Sequence, residues 1–416
     1  MSNTDNISSQ KPSSSVLLGA AFLMATSAIG PGFLTQSSTF TAQYGAPLIM
    51  IILLATLMDM IAQINIWSVV SASGMRAQDI ANRLLPGLGV VLAVLVAIGG
   101  LAFNVGNIGG VAMGFEAMIG LDPSIGAVIA GCLGVLIFSS KNAKTIMDKV
   151  ATVLAIVILI AVLAVAIHSR PPMGEVMRSM VKFRELPNMF IALTTLIGGS
   201  CGGYIAFSGA HRLLDAGVSG AENVRYARRS VFQGCSASAL VRIFLFLAVL
   251  GTCMTGTSWN TVNAEQITAA ANGGNPAAEV FRLAAGEIGY RLFGLCLFSA
   301  GVSSVVGAAF TSVSFLKTLH PFIFRYERQF VVGFIVCSTL MMVLIGNAAQ
   351  LLIIAGALNG LILPVSLGVM LVAGFRKNIV GEKYRHPVWM VAAGIVVVCL
   401  SFVSGIKAVP GILQLF

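Results

Sequence analysis

Apolar residues are gathered into eleven long runs, at roughly 15–38, 46–72, 87–118, 123–140, 150–168, 188–210, 231–255, 290–316, 328–346, 349–374 and 387–408. A helix needs about 20 mostly apolar residues to cross a bilayer core, so the pattern predicts an all-α membrane protein with eleven transmembrane helices. Residues 1–14 (MSNTDNISSQKPSS) are polar. They are expected to form a disordered tail, and they lack the basic start and cleavage site of a signal peptide. The polar 257–289 segment reads as an external loop.

Composition removes whole classes of function. The chain of 416 residues is 57% hydrophobic and only 10% charged, against about 25% charged in soluble domains. A soluble enzyme, a disordered regulator and a nucleic-acid binder are excluded, and no nucleotide-binding motif points to ATP. The net charge of +10 then reads as loop asymmetry. With the N-terminus inside, 17 of the 25 Lys and Arg fall on the inner side, seven on the outer, and Arg242 lies within a helix. The expectation is a multi-pass protein of the cell membrane, N-terminus cytoplasmic and C-terminus outside. Seven cysteines without CxxC spacing read as small core residues rather than a metal cage.

Two runs carry helix breakers. The first contains Gly30-Pro31-Gly32-Phe33 and the sixth contains Gly198-Gly199-Ser200-Cys201-Gly202-Gly203-Tyr204. Proline removes a backbone donor, and glycine permits non-helical backbone. At membrane depth such irregularity is tolerated only where it lines a cavity or is buried in protein. Each break opens a set of five helices, residues 15–168 and 188–374, with 387–408 as an extra helix. That placement predicts an inverted-repeat transporter with a midplane substrate site. The bland reading is close helix packing through small residues.

From about residue 17 to 375 the chain resembles the NRAMP family of divalent-metal transporters, which implies a LeuT-type fold of two inverted five-helix repeats. Gly30-Pro31-Gly32-Phe33 stands where that family has Asp-Pro-Gly-Asn. Asp79 and its neighbours resemble the family's short inner loop, Leu297 to Ser304 its eighth helix, and Leu361-Ile362-Leu363-Pro364 its tenth. The functional positions depart. Gly30 and Phe33 replace the family's Asp and Asn, and Gly202-Gly203-Tyr204 replaces its Met-Pro-His. Asn104 and Asn107 replace two acids assigned to its proton route. No carboxylate or methionine remains at the matched metal positions, so no metal ligand is assigned.

A dehydrated divalent cation needs anionic or strongly donating ligands, whereas helix N-termini exposed at a break suit a small anion. The expected cargo is therefore a small organic solute such as a carboxylate, moved by alternating access. The alternative is a divalent cation of the Mn or Mg type at a weak or hydrated-ion site. The candidate substrate-binding residues are Gly30, Pro31, Gly32, Phe33, Gln36, Asn104, Asn107, Ser200, Cys201, Gly202, Gly203 and Tyr204. Ionisable residues inside spans are costly and default to functional hypotheses. Asp59 and Glu116 are candidate proton acceptors, and Arg242 is a candidate for attracting an anion or tuning a carboxylate. A structural Asp59–Arg242 pair and a solvated Glu116 stay open beside them. His211 reads as an interfacial, solvated residue with a proton-relay role as the rival. No cofactor is expected. The partners are a small-molecule substrate and the lipid bilayer, with no nucleic acid or nucleotide, and H+ is the one candidate coupling ion.

Overall fold

A computed structural model describes residues 14–414 apart from 256–257, 273 and 318. The expected tail at 1–14 falls on residues outside that set except for Ser14, which opens the first helix. The helices are α1 (Ser14–Ala28), α2 (Pro31–Tyr44), α3 (Leu48–Ser73), α4 (Ala77–Leu84), α5 (Leu88–Ile119) and α6 (Pro123–Ser139). They continue with α7 (Lys141–His168), α8 (Met173–Ser179), α9 (Phe190–Cys201), α10 (Ile205–Asp215), α11 (Val224–Thr252) and α12 (Thr261–Ala269). The rest are α13 (Pro276–Leu316), α14 (Pro321–Arg325), α15 (Glu327–Ile345), α16 (Ala348–Gly374), α17 (Lys377–Val380) and α18 (Val388–Leu413). Two short strands, Met254–Thr255 and Ser258–Trp259, pair antiparallel.

Among the described residues eight helices are long and apolar enough to cross a membrane, or nine if the pair bent by 107° at α7–α8 is one span. The shorter α6 and the broken α1–α2 are compatible with the eleven expected. The outer faces carry Leu57, Ile98, Leu136, Leu340, Ile395 and Phe402, all exposed. That is the surface expected where lipid tails replace water.

The helices meet through small residues. A Cβ at Gly114 of α5 would stand 2.7 Å from the Phe298 backbone N of α13, and one at Gly301 of α13 would stand 2.6 Å from Val111 of α5. Gly198 of α9 lies directly on the Gly356 carbonyl and Gly360 of α16. Without a hydrophobic drive between helices in lipid, such backbone approach supplies the association through dispersion contacts.

The 257–289 segment is not a plain loop. Asn260 caps α12, accepting from the Asn263 N–H at 3.2 Å, and Asn275 caps α13 ahead of Pro276. Ala264 and Ile267 of α12 are buried. These cap signals organise a polar stretch that mean hydropathy passes over. α13 bends at Ala285–Gly286, where Gly286 has φ +65°, so the apolar run expected from 290 follows the bend.

The ends of α3, α11 and α18 are tied by a polar chain. Arg228 donates to Ser68 Oγ at 2.9 Å and to the Tyr384 hydroxyl at 3.3 Å. Tyr384 and His386 Nδ1 are 2.6 Å apart, and His386 Nε2 and Asn65 Oδ1 are 2.7 Å apart. His386 is in a loop but buried. Four cysteines are buried, while Cys132, Cys337 and Cys399 are exposed, so the core reading fails for those three. Their helices turn those faces outward.

Candidate functional site

Gly30 stands between α1 and α2 with extended backbone (φ −100°, ψ −175°), and Pro31 opens α2, where a missing N–H costs nothing. Pro31 itself packs on Gly110 of α5. The space a side chain would take at Gly30 is faced by Ser304 Oγ at 3.1 Å and Asn107 Oδ1 at 3.7 Å. Gly32 is closed in by Leu352, Gln36 and Phe103. One turn on, Gln36 donates to the Leu352 carbonyl of α16 at 2.7 Å and lies against Gly199 and Gly356. A single amide therefore staples α2, α9 and α16 through the room that two glycines leave.

The second break is built on Gly202, which is extended, and Gly203, whose φ of +55° favours glycine. Asn359 of α16 fills the gap: its side chain lies on Gly202 and Gly203 and donates to the carbonyls of Gly99 at 2.9 Å and Ala355 at 2.8 Å. This residue was missed from sequence, although an amide in the middle of the apolar 349–374 run was the signal. Tyr204 meets Phe103 edge-on at 6.0 Å, and the Asn107 side chain is a polar neighbour of its hydroxyl. Asn107 thus touches both breaks, with its Nδ2 lacking a partner. Asn104 faces elsewhere, donating to Ser338 Oγ of α15 at 3.0 Å. Ser200 bonds back to the Leu196 carbonyl of its own helix at 2.9 Å.

A charged layer borders the breaks. Asp59 of α3 is buried and accepts from Gln63 Nε2 at 2.6 Å, and the thiols of Cys201 and Cys235 are among its polar neighbours. Cys235 was also missed from sequence. Arg242 of α11 is 2% exposed. Its guanidinium carbon lies 4.2 Å from the centroid of the Phe33 ring, and Nη1 reaches the Leu196 carbonyl at 3.4 Å. Nε and Nη2 have no partner. Asp59 is the charge that acts on Arg242, but no ion pair within 4.0 Å joins them.

Two expected residues lie away from this layer. Glu116 sits half-buried in the last turn of α5, with Asp122 as its charged neighbour. His211 is buried, not solvated: it stacks on Phe207 at 6.0 Å, lies 5.1 Å from Phe315 and accepts the Ala77 N–H at 3.3 Å through Nε2. The first residue of α4 reaches it from far along the chain, which a linear reading cannot see.

The breaks therefore present amide and hydroxyl oxygens, free amide N–H groups and a guanidinium. Among the described residues no three His, Cys, Asp or Glu side chains are grouped to hold a metal ion.

Known proteins share the architecture of the whole chain. The chain is 46% identical over 392 residues to the uncharacterized membrane protein YcsG of Bacillus subtilis, covering 94% of this chain and 93% of that protein. It is 23% identical over 402 residues to the divalent metal cation transporter MntH of Aeromonas hydrophila, covering 94% of each. The crystal structure of the Eremococcus coleocola manganese transporter, in complex with an aromatic bis-isothiourea substituted compound, superposes with a TM-score of 0.75 at 17% identity. It covers 95% of this chain and 86% of that one. The fold is the LeuT type, all-α and membrane-spanning. Residues 21–409 match the Nramp, natural resistance-associated macrophage protein-like, family, and over that length the chain belongs to the Nramp family of transporters and is not an enzyme.

Proposed function

We propose that this chain is a secondary transporter that moves a small solute across the cell membrane by alternating access, with the cargo held between the two helix breaks. The single observation that carries the reading is Asn107, whose side chain faces Gly30 of one break and the Tyr204 hydroxyl of the other. Five-helix units at 15–168 and 188–374 moving about such a junction fit alternating access. The proposed orientation keeps the N-terminus cytoplasmic and the C-terminus outside.

Two cargoes of opposite charge are in contention. The comparisons favour the divalent cation over the organic anion, because the MntH relative carries that name and the superposed structure is a manganese transporter. The cation would find neutral oxygens here and a guanidinium over Phe33. Two unit charges 4 Å apart interact by about 4 kcal/mol at an effective dielectric of 20, and a divalent ion feels about twice that. The small organic anion is favoured by that same guanidinium. Proton coupling through Asp59 belongs to the proposal, since the carboxylate lies among thiols and an amide next to the charged layer.

Uptake by proteoliposomes holding the purified chain tests the reading. Saturable entry of Mn2+ or of a carboxylate, lost in Gly203→Ala, is expected, with a pH-sensitive dye reporting any proton that accompanies it. Entry of neither solute would sink the transporter.

A further inference from the structure

Resting on the transporter reading, we propose that the cargo is a small organic anion, and that it is bound by the Arg242 guanidinium together with the free N–H groups at the start of α2. The guanidinium is buried in the middle of α11 and carries two donors, Nε and Nη2, without partners. A buried unpaired donor is expensive, and an unpaired charge more so. The surroundings repay only part of that cost: the Phe33 ring lies under the guanidinium, Asp59 acts on it from beyond ion-pair distance, and the one hydrogen bond, to Leu196, is long at 3.4 Å. The Asp59 carboxylate is already engaged by Gln63 at 2.6 Å. Arg242 is thus a cation held in place and left open on its hydrogen-bonding edge.

The position of that edge fixes the partner. The guanidinium stacks 4.2 Å above the ring of Phe33, and Phe33 is the third residue of α2. The first N–H groups of a helix have no intrahelical acceptor and carry the positive end of its dipole; here Pro31 has no N–H and Leu34 donates to the Gly30 carbonyl at 3.3 Å, so the N–H groups on offer are those of Gly32 and Phe33. A carboxylate seated at the start of α2 would take those N–H groups and lie beside the planar fork, which matches two carboxylate oxygens in bidentate fashion. The aromatic platform also explains why phenylalanine serves here: it holds the guanidinium by cation–π contact and leaves the N–H edge unused.

The test uses the full purified chain in liposomes, with radiolabelled lactate, succinate and L-glutamate as anion probes and Mn2+ as the cation probe. Wild type is expected to take up at least one of the carboxylates saturably and to exclude Mn2+. Arg242→Gln is expected to lower carboxylate uptake by roughly 30-fold or more, the loss that follows when a buried charge partner is removed. Arg242→Lys keeps the positive charge, and so the electrostatics of the fold, but not the fork. It is expected to raise the half-saturating concentration by roughly tenfold while its melting temperature stays near wild type. Carboxylate uptake unchanged in both variants would overturn the assignment of Arg242. Saturable Mn2+ uptake without carboxylate uptake would overturn the anion while leaving the transporter standing. Uptake of none of the four probes by wild type would overturn both.

Discussion

Asp59 and Arg242 are opposite charges buried in one layer of the bundle, each acting on the other, yet they do not close into an ion pair within 4.0 Å. Asp59 turns to Gln63 and to the thiols of Cys201 and Cys235, while Arg242 turns to Phe33 and Leu196. The separation leaves each charge able to respond to something that arrives between α2 and α9.

The two charges should still be energetically coupled. In a double-mutant cycle of Asp59→Asn and Arg242→Gln, the double variant is expected to be less destabilised than the sum of the singles, by about 1–3 kcal/mol. Thermal melts in detergent read this. Strict additivity would mean that the field between them contributes nothing to the fold.

Backbone approach at the second break should be intolerant of a methyl group. Gly203 has φ +55° and lies on Asn359, so Gly203→Ala is strained in backbone and in space. Gly198→Ala would drive a Cβ into the Gly356 carbonyl. Each is expected to cost about 1–3 kcal/mol or more and to abolish uptake. Gly307→Ala, with nothing within 4 Å, is the control. It is expected to be neutral or to gain up to about 1 kcal/mol from helix propensity.

Asn359 should matter more than its place in an apolar run suggests. Asn359→Leu removes the donor to the Gly99 and Ala355 carbonyls and replaces the amide facing Gly203. The expected loss is about 1–3 kcal/mol, the net worth of the two buried hydrogen bonds that the amide donates. Uptake should fall with it. Normal melting together with normal uptake would remove Asn359 from the site.

Stability should fall in mild acid through His386, which lies outside the spans. Burial, then the nearby Arg228 charge, hold its pKa down to about 4 from an ordinary 6.5. Between those values the unfolded chain binds the proton and the folded chain does not, so unfolding free energy rises with pH across the window. The contribution is complete above about 6.5 and lost as pH falls toward 4. Melting temperature is expected to drop over that range, and the drop to shrink in His386→Gln. An equal slope in both proteins would place the acid sensitivity elsewhere.

Membrane spans and breaks were legible because they are local properties. A run of apolar residues has one low-energy solution in lipid, and Gly30-Pro31-Gly32 and the four glycines in six residues at 198–203 are strong local helix breakers. α12 was not legible from hydropathy, because its evidence lies in the caps Asn260 and Asn275 and in the burial of only two of its residues. The burial of His211 depends on α4 and Phe315, far from it in the chain.

The sequence by itself determined the medium, the helical class, the two breaks and the absence of Asp and Glu from residues 27–44 and 188–210 around them, since each follows from residue type and short-range spacing. Only the tertiary structure decided which of two neighbouring amides serves the junction. Asn107 faces both breaks and Asn104 turns to Ser338. It alone paired Gln36 with Gly199 and Gly356, set Asn359 on Gly203, and laid Arg242 over Phe33 with two donors free. Those relations join residues up to hundreds of positions apart, and the helix packing that creates them is set by contacts summed over the whole bundle.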